Sequence, residues 1–197
     1  VVSHGPVPTT AIGHHKLYRN EGGTGFVDVA VAAGVATTSV LDPDGFGAVF
    51  GDMDLDGDLD LVVAGWMPSS GSNKLFRNNG DGTFTDVTVA NINANLLSVR
   101  GFAPHFVDMN GDRYPEILFV GDYATSKYLR NLGDGTFADS TAGSGTGLDA
   151  NGMGQCVADF NGDGLLDWYV TSIAPLELPS DETGNMLYIN QGHQQYT

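Results

Sequence analysis

The chain is poor in cysteine and in positive charge, and each shortage narrows its possible roles. A single cysteine, Cys156, excludes an internal disulfide, and its apolar surroundings predict an inert buried thiol. Lys and Arg number 8 against 24 Asp and Glu, which gives a net charge of −16. Nucleic acid and anionic membranes would repel such a protein and are not expected partners. The sequence also has no apolar run long enough for membrane insertion.

No secretion signal and no initiating methionine are present, so we expect a processed or excised chain. The sequence is instead rich in apolar residues, at 41%, and in glycine, with 28 residues. This composition supplies a sizeable core joined by short, turn-rich segments. It predicts a globular, all-β protein.

Aspartate at every second position marks the stretch GAVFGDMDLDGDLDLVVAG, residues 47–65. Neighbouring carboxylates repel by roughly 4 kcal/mol per pair at about 4 Å in an effective dielectric near 20. A hard cation with about six to eight oxygen ligands would hold them together, and Ca²⁺ is the first candidate. The flanking residues are apolar and β-prone, so the loop joins two strands and is not an EF-hand. The predicted ligands are the side chains of Asp52, Asp54, Asp56 and Asp60 and the backbone carbonyl of Asp58.

The same spacing returns in DMNGDRYPE and in DFNGDGLLD. Position three of these loops is asparagine, which still offers an oxygen, and the glycine moves from position six to position four. A solvated acidic turn is the alternative for any single copy, but three copies in register favour metal binding. The second predicted site comprises Asp108, Asn110, Asp112, the Tyr114 carbonyl and Glu116. The third comprises Asp159, Asn161, Asp163, the Leu165 carbonyl and Asp167.

A second motif recurs four times, as KLYRNEGGTGF, KLFRNNGDGTF, KYLRNLGDGTF and MLYINQGHQQY. Turn-forming residues separate each anchor asparagine from a later aromatic residue, as in a β-hairpin. The aspartates that follow three of the aromatics, Asp28, Asp86 and Asp139, are predicted to cap turns. The anchor asparagines are Asn20, Asn78, Asn131 and Asn190.

Each repeat therefore holds four strands, which we label A before the metal loop, B after it, C ending at the asparagine and D beginning at the aromatic. Four antiparallel strands per roughly 40 to 60 residues are typical of a β-propeller blade, whereas β-helix repeats are much shorter. About three and a half blades are predicted within one partial propeller, residues 1–197. They divide into the end of one blade with its connection (1–46), two blades (47–100 and 101–151) and an incomplete blade (152–197). We expect a longer chain or neighbouring subunits to complete the ring.

DMDLDGDLDLVV and DFNGDGLLDWYV, together with KLFRNNGDGTFTDVT and FVDVAVAAGV, resemble the FG-GAP or VCBS repeats of integrin-α-like propellers. The likeness is closer to the cartilage acidic protein family and its bacterial relatives, and it covers nearly the whole chain. The resemblance implies calcium in the A–B loops and an extracellular, cell-surface or periplasmic setting. It also implies adhesion or binding more often than catalysis. Arg113 departs from the glycine that many copies of the repeat carry, which makes the second site the exception.

The irregular B–C and D–A loops lie on the face opposite the metal loops, where binding is expected. We therefore expect a calcium-binding module whose partner is a protein or a glycan. Trp66 and Tyr123 are either aromatic contacts for that partner or packing residues, and the Pro-containing stretch 174–179 is a further predicted contact surface.

Two alternatives are the propeller domain of a secreted lyase or hydrolase and a structural subunit of a surface assembly. Catalysis needs a nucleophile and base, or an open metal site beside an acid or base, and no such motif is evident. No catalytic residue is therefore predicted. His105, in a predicted inner strand, is interpreted as a hydrogen-bonded structural residue, with a channel-facing position as the alternative.

Overall fold

The computed structural model describes residues 15–36, 45–67, 71, 73–92, 96–173 and 184–197, and they form almost entirely β-structure. Helices within these ranges are limited to α1 (Thr88–Asn91), α2 (Thr141–Ser144) and one 3-10 turn (Leu96–Ser98). None of the described helices has the length and hydropathy that a membrane span requires. The predicted contact surface at 174–179 lies outside the described residues.

Four antiparallel sheets follow one another along the chain, and we number them in that order. Sheet 1 contains β1 (Tyr18–Asn20) and β2 (Phe26–Asp28). Sheet 2 contains β3 (Gly47–Gly51), β4 (Asp60–Ala64), β5 (Lys74–Asn78) and β6 (Phe84–Asp86). Sheet 3 contains β7 (Arg100–Val107), β8 (Glu116–Asp122), β9 (Lys127–Asn131) and β10 (Phe137–Asp139). Sheet 4 contains β11 (Gly152–Ala158), β12 (Asp167–Ser172) and β13 (Met186–Tyr188).

Strands within each sheet pair in chain order, which is the meander predicted for a propeller blade. The A, B, C and D strands of sheets 2 and 3 all appear, and the metal loops join A to B as expected. The all-β, partial-propeller fold predicted from the sequence is thereby confirmed.

Strand β4 shows how the sheets stack, because all five of its residues are buried. Successive side chains of a strand point to opposite faces, so a strand covered on both faces is mostly apolar, and Asp60 is the one exception in β4. Leu61 and Val63 enter the core shared with sheet 1, whereas Val62 and Ala64 enter the core shared with sheet 3. Each large side chain buried in this way contributes roughly 1.5 to 3 kcal/mol.

Glycines in the inner strand β3 let sheet 3 approach closely. A Cβ atom at Gly47 would overlap the carbonyl oxygen of Phe102, and one at Gly51 would overlap the ring of Phe106. Both neighbours belong to β7, so a larger residue at either glycine would push sheet 3 outward. This close approach accounts for the glycines that precede the first metal loop in the sequence.

The outer face of sheet 4 has no other sheet packed on it among the described residues. Val157 of β11 packs toward sheet 3, and Gln155 hydrogen-bonds to backbone carbonyls of that sheet. Cys156 lies between them, points the other way and is exposed. The prediction of a buried thiol is wrong, because strand alternation turns this side chain toward the uncovered face.

Candidate metal centre

The three loops predicted to bind metal share one frame of hydrogen bonds. In each loop the aspartate at position one accepts the backbone N–H of position six, at 2.9 to 3.1 Å. The carboxylate at position five accepts the N–H of position seven, at 2.8 to 2.9 Å. These bonds turn successive side chains toward the inside of the loop. The position-seven residues are Asp58, Tyr114 and Leu165.

Two positions of every loop have a left-handed backbone, where L side chains are strained. Position four is Leu55, Gly111 or Gly162, with φ of 60°, 79° and 79°. Position six is Gly57, Arg113 or Gly164, with φ of 95°, 79° and 87°. The first loop has its glycine at position six and the second has it at position four, but the backbone is left-handed at both positions in all three loops. Only the third loop has glycine at both positions.

The carboxylate at position nine is buried in all three loops: Asp60 is 1% exposed, and Glu116 and Asp167 are 0% exposed. Each accepts the backbone N–H of position two, at 2.8 to 2.9 Å. Burial raises the pKa of Asp60 to about 6 and that of Glu116 to about 7. A cation nearby would favour the ionised form of both groups and oppose this shift.

The first loop brings three carboxylates together. Ligand atoms of Asp52, Asp54 and Asp60 all lie within 4.8 Å of one another. The Oδ1 atoms of Asp52 and Asp54 are buried and accept no hydrogen bond. Burial, followed by the adjacent Asp56 carboxylate, raises the pKa of Asp54. Buried carboxylate oxygens without a partner are costly, so this donor set fits a hard divalent cation.

The other two predicted ligands of the first loop are placed differently. The side chains of Asp56 and Asp58 are exposed, and neither joins the group of three carboxylates whose ligand atoms all lie within 4.8 Å of one another. Asp56 Oδ1 accepts the N–H of Asp58 at 2.9 Å. Asp58 was predicted to contribute its backbone carbonyl, a role that does not need its side chain.

In the second and third loops an asparagine amide occupies the place of Asp54. Asn110 Nδ2 donates to Glu116 Oε1 at 3.0 Å, and Asn161 Nδ2 donates to Asp163 Oδ2 at 2.8 Å. Three acidic side chains do not converge in either loop within the described residues. The structure therefore does not bring together Asp108, Asp112 and Glu116, or Asp159, Asp163 and Asp167. Backbone N–H groups, first that of Gly164, lower the pKa of Asp159.

The family model described as FG-GAP-like repeat matches residues 52–119 and 108–170, which together cover more than half of the chain. The chain belongs to the FG-GAP-like repeat family. Each match begins at the first aspartate of a metal loop and ends in strand B of the following sheet. Each match thus spans one metal loop, the rest of its own sheet, and strands A and B of the next sheet with the loop that joins them.

Curated relatives of this FG-GAP-like chain include Cartilage acidic protein 1 of Xenopus tropicalis, at 28% identity over 166 residues. The proteins of the same name from Mus musculus and Homo sapiens are 28% and 29% identical over 168 residues. Each alignment covers 79% of this chain and 24% of the relative. The chain therefore spans about a quarter of the length of the curated relatives it matches.

Two of the four anchor asparagines, Asn131 and Asn190, connect the metal loops of neighbouring FG-GAP-like units, a role that the sequence motif alone did not indicate. Asn131 Nδ2 donates to the Pro115 carbonyl of its own sheet at 3.0 Å and to the Met53 carbonyl of the first loop at 2.8 Å. Asn190 makes the equivalent pair of bonds to Leu166 and Met109, at 3.0 and 3.1 Å. The sequence signal that could have indicated this role is the fixed position of these asparagines at the end of strand C.

The aspartates predicted to cap turns do so. Asp86 Oδ1 accepts the N–H of Thr88 at 3.0 Å, and its Oδ2 pairs with Lys74 at 2.8 Å. Asp139 repeats this arrangement with Thr141 and Lys127. Asp28 caps Ala30 and pairs with Lys16. This interpretation from the sequence is confirmed.

His105 lies half-buried in β7, where burial lowers its pKa. Ala103 and Val107, its apolar neighbours on the same face of the strand, pack into the core shared with sheet 4. No described residue donates a hydrogen bond to the ring or accepts one from it. The interpretation of His105 as a hydrogen-bonded residue is therefore wrong, because its strand neighbours offer no polar partner.

Proposed function

We propose that the chain is a calcium-binding, extracellular β-propeller module that binds a protein or a glycan. The observation that carries this proposal is the pair of buried, partnerless Oδ1 atoms of Asp52 and Asp54 beside the Asp60 carboxylate. An oxygen-only donor set of this kind suits Ca²⁺, which accepts about six to eight oxygens in flexible geometry.

Each of the three loops binds one Ca²⁺ in this proposal, through the five residues predicted for it from the sequence. The first loop is the tightest, since it offers one more ligand carboxylate than the other two. In the second and third loops the amides of Asn110 and Asn161 must rotate to present oxygen. That rotation breaks their bonds to Glu116 and Asp163, which further lowers the affinity.

The extracellular setting follows from the chemistry of such sites and from the relatives. Calcium sites of moderate affinity fill where free calcium is high, which is outside the cytoplasm or in the periplasm. The relatives carry the name Cartilage acidic protein 1, which suits an extracellular role for this chain as well. Since the chain spans about a quarter of those relatives, the remaining blades come from a longer chain or from neighbouring subunits.

Binding fits the arrangement of this molecule better than catalysis. The buried acidic groups of the metal loops are tied to backbone N–H groups, which is a structural use of their carboxylates. The loops at the other end of the strands are supported by the rigid sheets, and loops on rigid scaffolds are where partners usually bind.

Thermal unfolding with and without calcium tests the metal part of this function. Because Ca²⁺ binds only the folded loops, saturation should stabilise the protein by roughly 2.7 kcal/mol per site at about 100 times the dissociation constant. Mg²⁺ at the same concentration is the control and should stabilise less, since it demands stricter octahedral geometry. Equal melting temperatures in calcium and in chelator would contradict the proposal. A glycan array, a pull-down and a general lyase and hydrolase screen then separate binding from enzymatic alternatives.

A further inference from the structure

An arginine packs against two neighbouring aromatic rings, whose centroids lie 6.4 Å apart, at the end of the sheets away from the metal loops. The guanidinium carbon of Arg100 lies 4.6 Å from the ring centroid of Trp66 and 4.9 Å from that of Tyr123. Trp66 follows β4 of sheet 2, whereas Arg100 begins β7 and Tyr123 follows β8 of sheet 3. We call these three residues the arginine clamp, and it lies where sheets 2 and 3 meet.

The rings cover the guanidinium but do not use its hydrogen-bond donors. Among the described residues, no carboxylate or carbonyl accepts a hydrogen bond from the Arg100 side chain. Asp122, the cross-strand partner of Arg100, instead accepts from Trp66 Nε1 at 3.1 Å and from the Tyr123 N–H at 3.0 Å. The nearby carboxylate thus positions the two rings, and the planar fork of N–H groups stays available for a bidentate acceptor.

Tyr123 occupies a strained position in a tight turn. Tyr123 and Ala124 have φ of 56° and 54°, and the Thr125 N–H donates to the Asp122 carbonyl across them at 3.2 Å. Turns with two left-handed central residues usually carry Asn and Gly. The Tyr123 side chain is nevertheless 64% exposed, so burial does not explain an aromatic residue here. The ring packs on Arg100 and Trp66, yet most of Tyr123 stays exposed, so the strained turn presents an aromatic surface that is open to a further contact.

We infer that the arginine clamp binds the carboxylate of an acidic sugar, such as a uronic acid residue of an oligosaccharide. The carboxylate pairs with the edge of the Arg100 guanidinium, and the apolar C–H face of the sugar ring lies on the exposed ring of Tyr123. This inference rests on the proposed binding function and names the ligand class. A sparsely charged glycan is favoured over a polyanion, because the chain carries a net charge of −16.

An acidic peptide fits the same place less well. A peptide needs backbone partners in addition to the guanidinium, and the N–H groups of Arg100 and of the next residue are already used. The Arg100 N–H donates to Thr125 Oγ1 at 3.0 Å, and the Gly101 N–H donates to the Gly65 carbonyl at 2.8 Å. A sugar needs only the side-chain edge and the aromatic face.

The test is an NMR titration of the calcium-loaded chain with methyl glucuronoside, with methyl glucoside as neutral probe and N-acetylglutamate amide as peptide-like probe. The glucuronoside should bind about tenfold more tightly than either of the others. Arg100→Met should weaken it by about tenfold, and Arg100→Lys by a smaller factor of about five, because an ammonium lacks the planar fork. Arg19→Met removes the same charge from the Glu21 ion pair in sheet 1 and should change nothing.

Several results would overturn the inference. These are no binding of the glucuronoside, equal affinity for the neutral or the peptide-like probe, and full affinity in Arg100→Lys. Full affinity in Arg100→Lys, together with a lower melting temperature for Arg100→Met, would indicate that the arginine clamp is a structural link between sheets. Calcium uptake is measured on the same samples and should be unchanged in all variants. If the parent chain takes up no calcium, the proposed function is contradicted. If it takes up calcium but does not bind the sugar, only the arginine clamp is contradicted.

Discussion

The first metal loop and its two counterparts have the same backbone and differ at position three. Asp54 in the first loop has a buried oxygen without a hydrogen-bond donor, while Asn110 and Asn161 turn an amide toward a carboxylate. One uncharged side chain thus partly relieves the repulsion that the first loop keeps. The comparison teaches that the demand for a cation depends on the charge at position three more than on the loop conformation.

The first and third loops also differ in how a following sheet covers them. Asn131 of sheet 3 holds the Met53 carbonyl of the first loop, and a Cβ at Gly135 would lie 3.5 Å from the Cβ of Asp54. The third loop, by contrast, is exposed at every position from Asp159 to Leu165. Covering by a neighbouring sheet removes water from the first loop, which strengthens the repulsion without metal and the attraction with it.

The largest expected effect comes from removing the charge at position three of the first loop. Asp54→Ala should lower stability in saturating calcium by about 2.7 kcal/mol and have much less effect in chelator. Asn110→Ala, the matched change in the second loop, should cost less in calcium. Denaturant unfolding under both conditions measures the difference. An equal loss with and without calcium would show that Asp54 acts through packing.

The link between neighbouring sheets should come next in size. Asn131→Ala leaves the buried Met53 carbonyl and the partly buried Pro115 carbonyl without this donor and should destabilise the chain by about 2 kcal/mol. Asn78→Ala removes one donated bond, to the Leu59 carbonyl at 3.0 Å, and should cost about 1 kcal/mol. Both asparagines also accept the backbone N–H two residues later, so that loss is common to the two variants. Asn131→Ala should also weaken calcium binding at the first loop, which holds its second acceptor. Equal costs for the two variants would contradict a coupling between adjacent loops.

The pH dependence of stability should reverse with calcium. In metal-free protein the folded pKa values of Asp60 and Glu116, about 6 and about 7, lie above their ordinary values of 3.8 and 4.5. The native state then holds more protons than the unfolded state, so stability falls as pH rises through this window, by about 1 to 2 kcal/mol for each of the two groups. Calcium competes with those protons, so its stabilisation should grow over the same range.

Urea unfolding at pH 5 and pH 7.5 measures how stability changes with pH. It is done with dialysed calcium-free protein and with excess calcium. Glu116→Gln should reduce the pH dependence of calcium-free stability to the part that Asp60 contributes, because the amide does not titrate. Calcium-free stability that rises with pH over this window would be the contrary result.

The smallest effect concerns the strained backbone. Leu55→Gly and Arg113→Gly place glycine where φ is 60° and 79°, and each should stabilise the chain by up to about 1 kcal/mol. Leu59→Gly is the control, since Leu59 lies in the same loop without a left-handed backbone and should lose stability through added unfolded-state entropy. Thermal unfolding distinguishes them, and a loss in all three variants would show that the left-handed positions are not strained.

Much of the fold could be predicted because its sequence signals are local. The continuous apolar run of β4, the hairpin turns and the alternating acidic loops each imply their own structure over a few residues. The capping by Asp86 was predictable for the same reason. The strain at Leu55 could not be predicted. The glycine stood at position six in one loop and at position four in another, which suggested a single left-handed residue at a variable position and not two in every loop.

What escaped prediction depends on contacts between sheets. The exposure of Cys156 follows from which face of sheet 4 is covered, and the amide orientation of Asn110 follows from the position of Glu116. The clamp around Arg100 joins residues of two sheets that lie far apart in the chain. Sequence periodicity carries no information on contacts between such distant residues. The one relevant sequence signal is that basic residues are scarce, which sets each Lys and Arg apart.

Calcium uptake by the first loop is the central claim, and isothermal titration of metal-free protein tests it most directly. The parent chain should show one tight site and weaker uptake at the two asparagine-containing loops. Asp54→Asn converts the first loop to the side-chain type of the others at position three and should remove the tight site. No heat of binding at about millimolar calcium, the range of extracellular modules, would contradict the account.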